Sequence, residues 1–348
     1  MATDISADTQ KFLHNAAVNI MVLLDHVRIF DGIDSSAEFS GKHFKTSIDN
    51  LATAIDKEVT RFLIALKPPA LDKEIRELCP KINAGFFQLV QLLNQIPKSA
   101  GLTYLKAVKR AVSRTLVSIV TLVNTFISDK VALDKTVLAE LAYTSTSGIF
   151  WEHCKQLTQI PVDNRAAVVV KWKSSVGDLV RDAVDELKES VQEAQEAQEA
   201  QKDGSAENDG YSSDESLGDF DPDIPAERLA DARKAQQLVT MARLVCDKIA
   251  LRCIRDCDDV TDEKNVWLDR LLELGQPVQG CVDDLVAALF IEDETWSRQM
   301  TVETGNLVRA LLALVELAIT FVDDSHLKWF EMAQTRLNSI LNESPVAR

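Results

Sequence analysis

Three acidic residues stand close together in a pattern that could hold a divalent cation. The segment Asp258-Asp259-Val260-Thr261-Asp262 reads D-D-x-x-D, and clustered carboxylates are the ligands that hard cations such as Mg²⁺ prefer. A bound Mg²⁺ could in turn hold a diphosphate. A catalytic site of this kind needs a second set of carboxylates across a cavity, and neither Asp283-Asp284 nor Asp323-Asp324 completes one. In a chain with 54 acidic residues, we therefore favour a solvated acidic loop.

Three of the six cysteines share one face of a predicted helix. Cys246, Cys253 and Cys257 are separated by seven and four residues, a spacing that places all three on the same side. They could bind a metal ion or carry redox chemistry, but no histidine or C-x-x-C pair accompanies them. Small buried cysteines on an apolar face account for the pattern without a ligand. We predict no catalytic residue, metal or cofactor for this chain.

Four cations lie close together on another predicted helix: Lys106, Lys109, Arg110 and Arg114. They could contact a phosphate group or an acidic segment, including the acidic tract of this chain. A solvated helix face is the simpler interpretation. No basic region comparable to a DNA-reading helix is found elsewhere, so the sequence predicts no direct binding to nucleic acid.

Two serines are candidate phosphorylation sites. Ser212 and Ser216 each precede an acidic residue by three positions, in a tract that is rich in acids and poor in aliphatic residues. An acid-directed kinase could use either serine, and the phosphate group would increase the negative charge of the tract.

Signatures of the common enzyme classes and of membrane insertion are absent from the sequence. The chain has no G-x-G-x-x-G, P-loop, G-x-S-x-G or H-E-x-x-H motif. Its N-terminus lacks the basic region of a secretory signal. The most apolar segment, 307–322, contains Arg309 and Glu316, so we expect a buried helix rather than a membrane span. The six cysteines do not form a compact disulfide framework, which indicates a reducing compartment. We therefore expect a cytoplasmic and nuclear protein that does not bind a membrane.

The whole chain has the pattern of an all-α protein. Gly (12) and Pro (9) are scarce in the 348 residues, and apolar residues recur every three or four positions, as in amphipathic helices. The sequence predicts two antiparallel helical bundles joined by a long helix and a disordered acidic linker. We expect interruptions near 145–148 and 275–277. The predicted helices span about 5–30, 39–66, 72–95, 102–127, 134–157, 163–201, 225–255, 265–290, 303–322 and 325–341.

The long helix and the tract behind it divide the chain. Pro161 ends the preceding element, and Asp163 or Asn164 is placed to cap the helix. Its apolar stripe runs from Val169 through Leu179 to Ala194. From Asp182 to Asp223 there are 15 acids and two bases, and the end of this segment cannot bury enough apolar surface to offset chain entropy. We predict an N-terminal bundle at 1–201 that includes the helix 163–201, a linker at 202–224 and a C-terminal bundle at 225–348.

One nine-residue block carries a resemblance to a known family. Residues 159–167, Q-I-P-V-D-N-R-A-A, resemble the pattern Q-I-P-x-D-N-[KR]-A-A of the cyclin-D-binding protein family, also called GCIP. In that family a long helix and an acidic spacer follow the block. Residues 151–156, W-E-H-C-K-Q, are similar to the family's W-x-x-C-x-Q, and 267–269 and 282–285 also resemble family segments. The similar segments occur in both halves of the chain, in the same order as in the family.

The resemblance implies a two-domain, all-helical protein that is not an enzyme. Family members bind D-type cyclins and adaptor proteins and act as negative regulators of cell proliferation and transcription. They are described as helix-loop-helix-like proteins without a basic region, which would sequester partners rather than bind DNA. This chain likewise lacks a basic region, although its apolar faces look necessary for the bundles themselves.

Two other functions fit the architecture or a motif. A cytoskeletal adaptor is one, since vinculin- and catenin-like proteins are also built from helical bundles. A Mg²⁺-dependent prenyl-diphosphate enzyme that uses Asp258, Asp259 and Asp262 is the more remote one.

Overall fold

A computed structural model of the protein describes residues 5–34, 39–67, 69–133, 143–202, 224–258, 261–291 and 294–343. Within these ranges the regular structure is helical, and Ile33 and Pro97 form an isolated β-bridge. The predicted all-α class is confirmed. The chain divides into two compact units, Met1–Ala167 and Val168–Arg348.

The described residues of the first unit form a closed ring of helices around one apolar core. Helix α1 packs against α3 and α4, α2 packs against α3 and α5, and α4 also packs against α5. Each helix therefore buries its apolar stripe between two principal neighbours. The helices are α1 (Ala7–Ile29), α2 (Gly41–Ala65), α3 (Asp72–Leu93), α4 (Leu102–Asn124) and α5 (Tyr143–Leu157).

Local chemistry explains where these helices begin. The hydroxyls of Ser6 and Ser40 accept the backbone N–H groups three residues on, each at 3.3 Å, and such caps satisfy donors that the helix itself leaves unpaired. Helix α3 continues through Pro80, because packing on both sides offsets the hydrogen bond that proline removes. The interruption predicted at 145–148 is wrong, since α5 runs through these residues. Residues 134–142 of the predicted fifth helix lie outside the described residues.

The second unit is likewise helical over its described residues. Helix α9 packs against α7, α8 and α10, while α11 packs mainly against α10. Helix α6 begins in the first unit and ends in the second. The elements are α6 (Asn164–Trp172), a π-helical segment (Lys173–Gly177), α7 (Asp178–Lys202), α8 (Leu229–Ile249), a second π-helical segment (Ala250–Arg255), α9 (Asp262–Ala288), α10 (Trp296–Ile319) and α11 (Asp324–Glu343).

The position of the long helix differs from the predicted division of the chain. From Val168 onward its buried side chains belong to the core that α8 and α9 also line. The boundary of the first unit therefore falls at 167/168 and not after residue 201. An apolar stripe shows that one side of a helix is buried, but not which helices bury it. Most of the predicted linker, 203–223, lies outside the described residues.

A π-helical segment explains which residues of the long helix are buried. Each step of four residues advances about 40° around a regular α-helix, so several such steps would carry a stripe away from the core. The wider turn at Lys173–Gly177 absorbs part of this drift. Val169 and Leu179, which the sequence places on the stripe, are instead 39% and 36% exposed. The buried residues that follow one another in steps of four are Val168, Trp172, Val176, Val180 and Val184.

The break predicted at 275–277 is also wrong, because α9 continues through Pro277. Gly275 lies against the indole of Trp172, where an added Cβ would come within 2.6 Å of the ring carbon Cζ3. This glycine therefore serves close packing rather than a turn. In addition, α10 begins at Trp296, about two turns before the predicted start at 303. Within the described residues, none of the helices is long and apolar enough to cross a membrane.

Candidate protein-interaction surface

An open groove lies between α2 and α5 of the first unit. Ala52 and Cys154 are almost fully buried, and their small side chains allow close approach, with the Cys154 Sγ 3.9 Å from the carbonyl oxygen of Ala52. Trp151 lies beside them with 42% of its surface exposed. The groove has a volume of about 420 Å³, enough for a few side chains of a partner. Its lining consists of Ala52, Thr53, Asp56, Trp151, Cys154, Lys155 and Thr158.

The lining of this groove suits binding better than acid–base chemistry. Asp56 is the one carboxylate among the described lining residues, and Lys155 supplies the opposite charge. An exposed indole with a polar rim is the arrangement found at the energetic centres of protein interfaces, where aromatic side chains are enriched. The groove is therefore the candidate site for a protein partner.

Lys45 of α2 holds the end of α5 next to this groove. Its ammonium forms an ion pair with Asp49 and donates to the carbonyl oxygen of Thr158 at 2.8 Å. A cation at this position also stabilises the C-terminal end of the α5 dipole. The two walls of the groove are thus joined by a side chain as well as by apolar packing.

The block 159–167 forms a junction between helices. The Asp163 carboxylate accepts the N–H of Ala166 at 2.7 Å and so caps α6. The Asn164 side-chain oxygen accepts the N–H of Tyr104 at 2.9 Å, in the first turn of α4, whose own N-cap residue Gly101 has no side chain to do this. The sequence predicts a cap at Asp163 or Asn164, and the structure assigns one cap to each residue on different helices.

Two glycines make room for this junction. Gly101 has a φ of +100°, and a Cβ at this position would lie 2.1 Å from the Asn164 Cγ. Gly41, the first residue of α2, lies against the backbone of Val162, whose carbonyl oxygen would be 1.9 Å from an added Cβ. The block therefore contacts the starts of both α2 and α4 at distances that only glycine permits.

The four cations predicted on α4 have different surroundings. The Lys109 ammonium donates to the carbonyl oxygen of Phe30 and, at 3.3 Å, to that of Arg28. It thereby closes the C-terminal end of α1, where a cation is favourable. Lys106, Arg110 and Arg114 are exposed on the outward side of α4.

The acidic pattern at 258–262 is not assembled into a metal site by the described residues. Asp262 is the first residue of α9, behind the cap residue Thr261. The backbone carbonyl of Asp258 accepts from the Lys264 ammonium at 2.5 Å, and Asp259 lies outside the described residues. Across the described part of the chain, no three or more histidine, cysteine, aspartate or glutamate side chains are placed to share a metal ion.

The buried character predicted for Cys246, Cys253 and Cys257 is confirmed, and these three cysteines are not in disulfide bonds. Burial raises the pKa of Cys246 and of Cys253 to about 12. Such thiols are almost wholly protonated at neutral pH and are poor nucleophiles. Ser212 and Ser216, the two candidate phosphorylation sites, lie outside the described residues.

We expect the cysteines of the folded protein to react with iodoacetamide in a defined order. Burial also raises the pKa of Cys79 and Cys154 to about 12, which leaves on the order of one part in ten thousand as thiolate at pH 8. Cys281 is only partly buried. Mass spectrometry at pH 8 should find Cys281 modified before Cys154, and denaturant should remove the difference. Rapid native labelling of Cys154 would show that the groove opens to its buried side.

The first unit contains most of a recognisable family segment. Residues 47–193 match a sequence model described as "Grap2 and cyclin-D-interacting, N-terminal". These residues carry the N-terminal segment of this cyclin-D-interacting protein family. The matched range includes every residue that lines the groove and the whole junction block, whereas α1 precedes it.

Relatives of this chain extend the similarity over both units. A "Cyclin-D1-binding protein 1 homolog" of Xenopus laevis is 26% identical over 282 residues, which are 80% of this chain and 80% of the relative. The homolog of Danio rerio is 25% identical over 280 residues, 80% of this chain and 78% of its own. "Cyclin-D1-binding protein 1" of Homo sapiens is 23% identical over 285 residues, 80% of this chain and 77% of its own.

Proposed function

We propose that this protein is a non-catalytic interaction protein that binds a D-type cyclin and thereby restrains cell-cycle progression and transcription. The observation that carries the proposal is the extent of the similarity. Relatives named as cyclin-D1-binding proteins align with 80% of the chain, across both units. The mixed apolar and charged lining of the α2–α5 groove supports a binding role.

The α2–α5 groove is the surface that we propose for the cyclin. It lies wholly inside the matched residues 47–193, and Trp151 offers a large, exposed side chain at its edge. A second apolar surface, made by Val18, Val22 and Ile29 on the outward side of α1, precedes the matched range. The groove is therefore the better-supported contact.

Further partners and the compartment follow from the family resemblance. We propose adaptor and helix-loop-helix proteins as additional partners, and the cytoplasm and nucleus as the places where they meet. The cytoskeletal and prenyl-diphosphate alternatives gain no support from a specific contact in the described residues, and we do not propose them.

Replacing Trp151 by alanine should weaken cyclin binding by about thirtyfold, since truncation of an aromatic interface centre typically costs about 2 kcal/mol or more. The measurement is isothermal titration of the purified full chain with a purified D-type cyclin. Phe87→Ala is the matched control, because Phe87 is an exposed aromatic residue of the same unit that lies on α3, away from the groove.

The outcomes test separately whether the chain binds a cyclin and whether it does so through the groove. If the wild-type chain shows no binding at micromolar concentration, cyclin binding itself is refuted. If the wild-type chain binds and Trp151→Ala binds equally well, the function stands and the groove is the wrong surface. Restraint of proliferation is tested apart from this, by the fraction of cells in S phase after depletion of the protein, which should rise.

A further inference from the structure

The segment that contains α4 has an unusual charge. Between Glu77 and Asp129 the chain has no acidic residue and six cations. This contrasts with a net charge of −16 for the whole protein. The positive segment includes the second half of α3, where most apolar side chains are buried and Phe87 is exposed, and all of α4. Four of its six cations, Lys106, Lys109, Arg110 and Arg114, lie on α4.

Three of these cations form a straight stripe on the surface. Lys106, Arg110 and Arg114 are exposed and follow one another every four residues along α4, so their Cα atoms are about 6 Å apart along the helix axis. In the described structure none of the three side chains reaches a carboxylate. Arginines on other helices do so within one turn: Arg61 lies 3.1 Å from Glu58, and Arg270 lies 2.6 Å from Glu273.

The neighbouring helices do not neutralise this stripe in the described residues. On the α1 side, the Asp25 carboxylate is paired with Arg28 at 3.2 Å. On the α5 side, Arg114 is close to His153, whose pKa is lowered by burial and by the positive charge of Arg114. The Glu152 carboxylate accepts from Gln156, in its own helix, at 3.2 Å; it keeps its negative charge but forms no ion pair with the stripe in the described structure. The stripe therefore keeps its positive charge toward solvent.

We propose that Lys106, Arg110 and Arg114 bind a carboxylate-rich segment of a partner protein. Acidic side chains every fourth residue of a helix repeat at about 6 Å, the same interval as the cations of α4, so each cation can meet one carboxylate. Opposite charges in this register guide the encounter and fix the alignment of the two chains. The net charge of −16 opposes every anionic ligand at long range, so this recognition depends on the local register of the three cations. This surface is separate from the α2–α5 groove.

The probe is a fluorescently labelled, alanine-rich helical peptide with glutamate at every fourth position. The control peptide has glutamine at those positions. Fluorescence anisotropy with the full chain at low ionic strength should show binding of the glutamate peptide and a loss of binding as salt is added. Lys106→Glu, Arg110→Glu and Arg114→Glu combined should lower the affinity about tenfold or more, since three favourable pairs become repulsive.

The matched control combines Lys42→Glu, Lys57→Glu and Lys73→Glu, which are exposed lysines of α2 and α3 in the same unit. It changes the net charge equally and should leave the affinity within about twofold. Circular dichroism should show equal helicity and melting for both variants, and a neutral version with glutamine at 106, 110 and 114 provides a milder test. Equal losses in both variants, equal binding of the glutamine peptide, or tighter binding of a duplex oligonucleotide would each overturn the proposal.

Discussion

Gly101→Ala should lower the free energy of unfolding by about 3–5 kcal/mol, which is a large part of the total stability of a typical domain. Two costs combine at this position. A φ of +100° is strained for any residue with a Cβ, by about 1–3 kcal/mol. The new methyl group would also lie 2.1 Å from the Asn164 Cγ, so that the hydrogen bond from Tyr104 to Asn164 is lost, at a further cost of about 1–3 kcal/mol.

Urea unfolding followed by circular dichroism measures this effect, and two variants calibrate it. Gly148→Ala introduces the same methyl group at an exposed position in α5 with no atom within 4 Å of the new Cβ, and it should raise stability by up to about 1 kcal/mol. Asn164→Ala removes the hydrogen bond without the backbone strain and should have an intermediate cost of about 1–2 kcal/mol. A Gly101→Ala protein as stable as Gly148→Ala would show that the junction is not needed for folding.

This junction connects the family block to the proposed binding groove. The block 159–167 follows α5, which carries Trp151, and it lies against the start of α2 at Gly41. Since α2 and α5 are the two walls of the groove, the block fixes both walls relative to each other. Lys45 adds a second connection, from α2 to the Thr158 carbonyl. The residues that resemble the family pattern therefore support the surface without lining most of it.

Helix positions could be predicted from the sequence because the apolar spacing depends on the helix itself. In α2, Phe44, Ile48 and Ile55 have the spacing of one helix face, and all three are buried. Predictions that treat glycine or proline as a break fail where tertiary packing decides. Gly275 and Pro277 remain helical because α9 is held between neighbouring helices, and Gly275 is needed where the Trp172 ring passes.

The candidate surfaces depend on contacts between segments that lie far apart in the chain. The spacing of residues along the sequence does not show which of these segments meet. Lys109 and Arg110 are adjacent and chemically alike, yet only Lys109 faces the end of α1. Asn164 caps a helix that begins 62 residues earlier, at Leu102. The pairing of Ala52 with Cys154 depends on α2 and α5 being neighbours in the ring. Trp151 could be found by resemblance, but its groove could not.

Trp172→Ala is expected to lower the stability of the second unit by about 3–5 kcal/mol, the usual cost of removing a large buried aromatic side chain. Trp172 is 2% exposed and packs against Gly275 of α9. Among the described residues no hydrogen-bond acceptor reaches its buried indole N–H, so the indole stabilises mainly through packing. Trp172→Phe retains most of this packing and removes the unpaired donor. It should therefore cost much less than Trp172→Ala in the same urea unfolding experiment.

A double-mutant cycle with Gly275 tests whether this contact is the cause. Gly275→Ala places a methyl group 2.6 Å from the Trp172 ring and should cost about 1–3 kcal/mol by overpacking. In the Trp172→Ala background the ring is gone and the methyl group enters the space that it leaves. The same substitution should then be nearly neutral or stabilising, so the two effects are less than additive by about 1–3 kcal/mol. Strict additivity would show that Gly275 is required for a reason other than the passage of this ring.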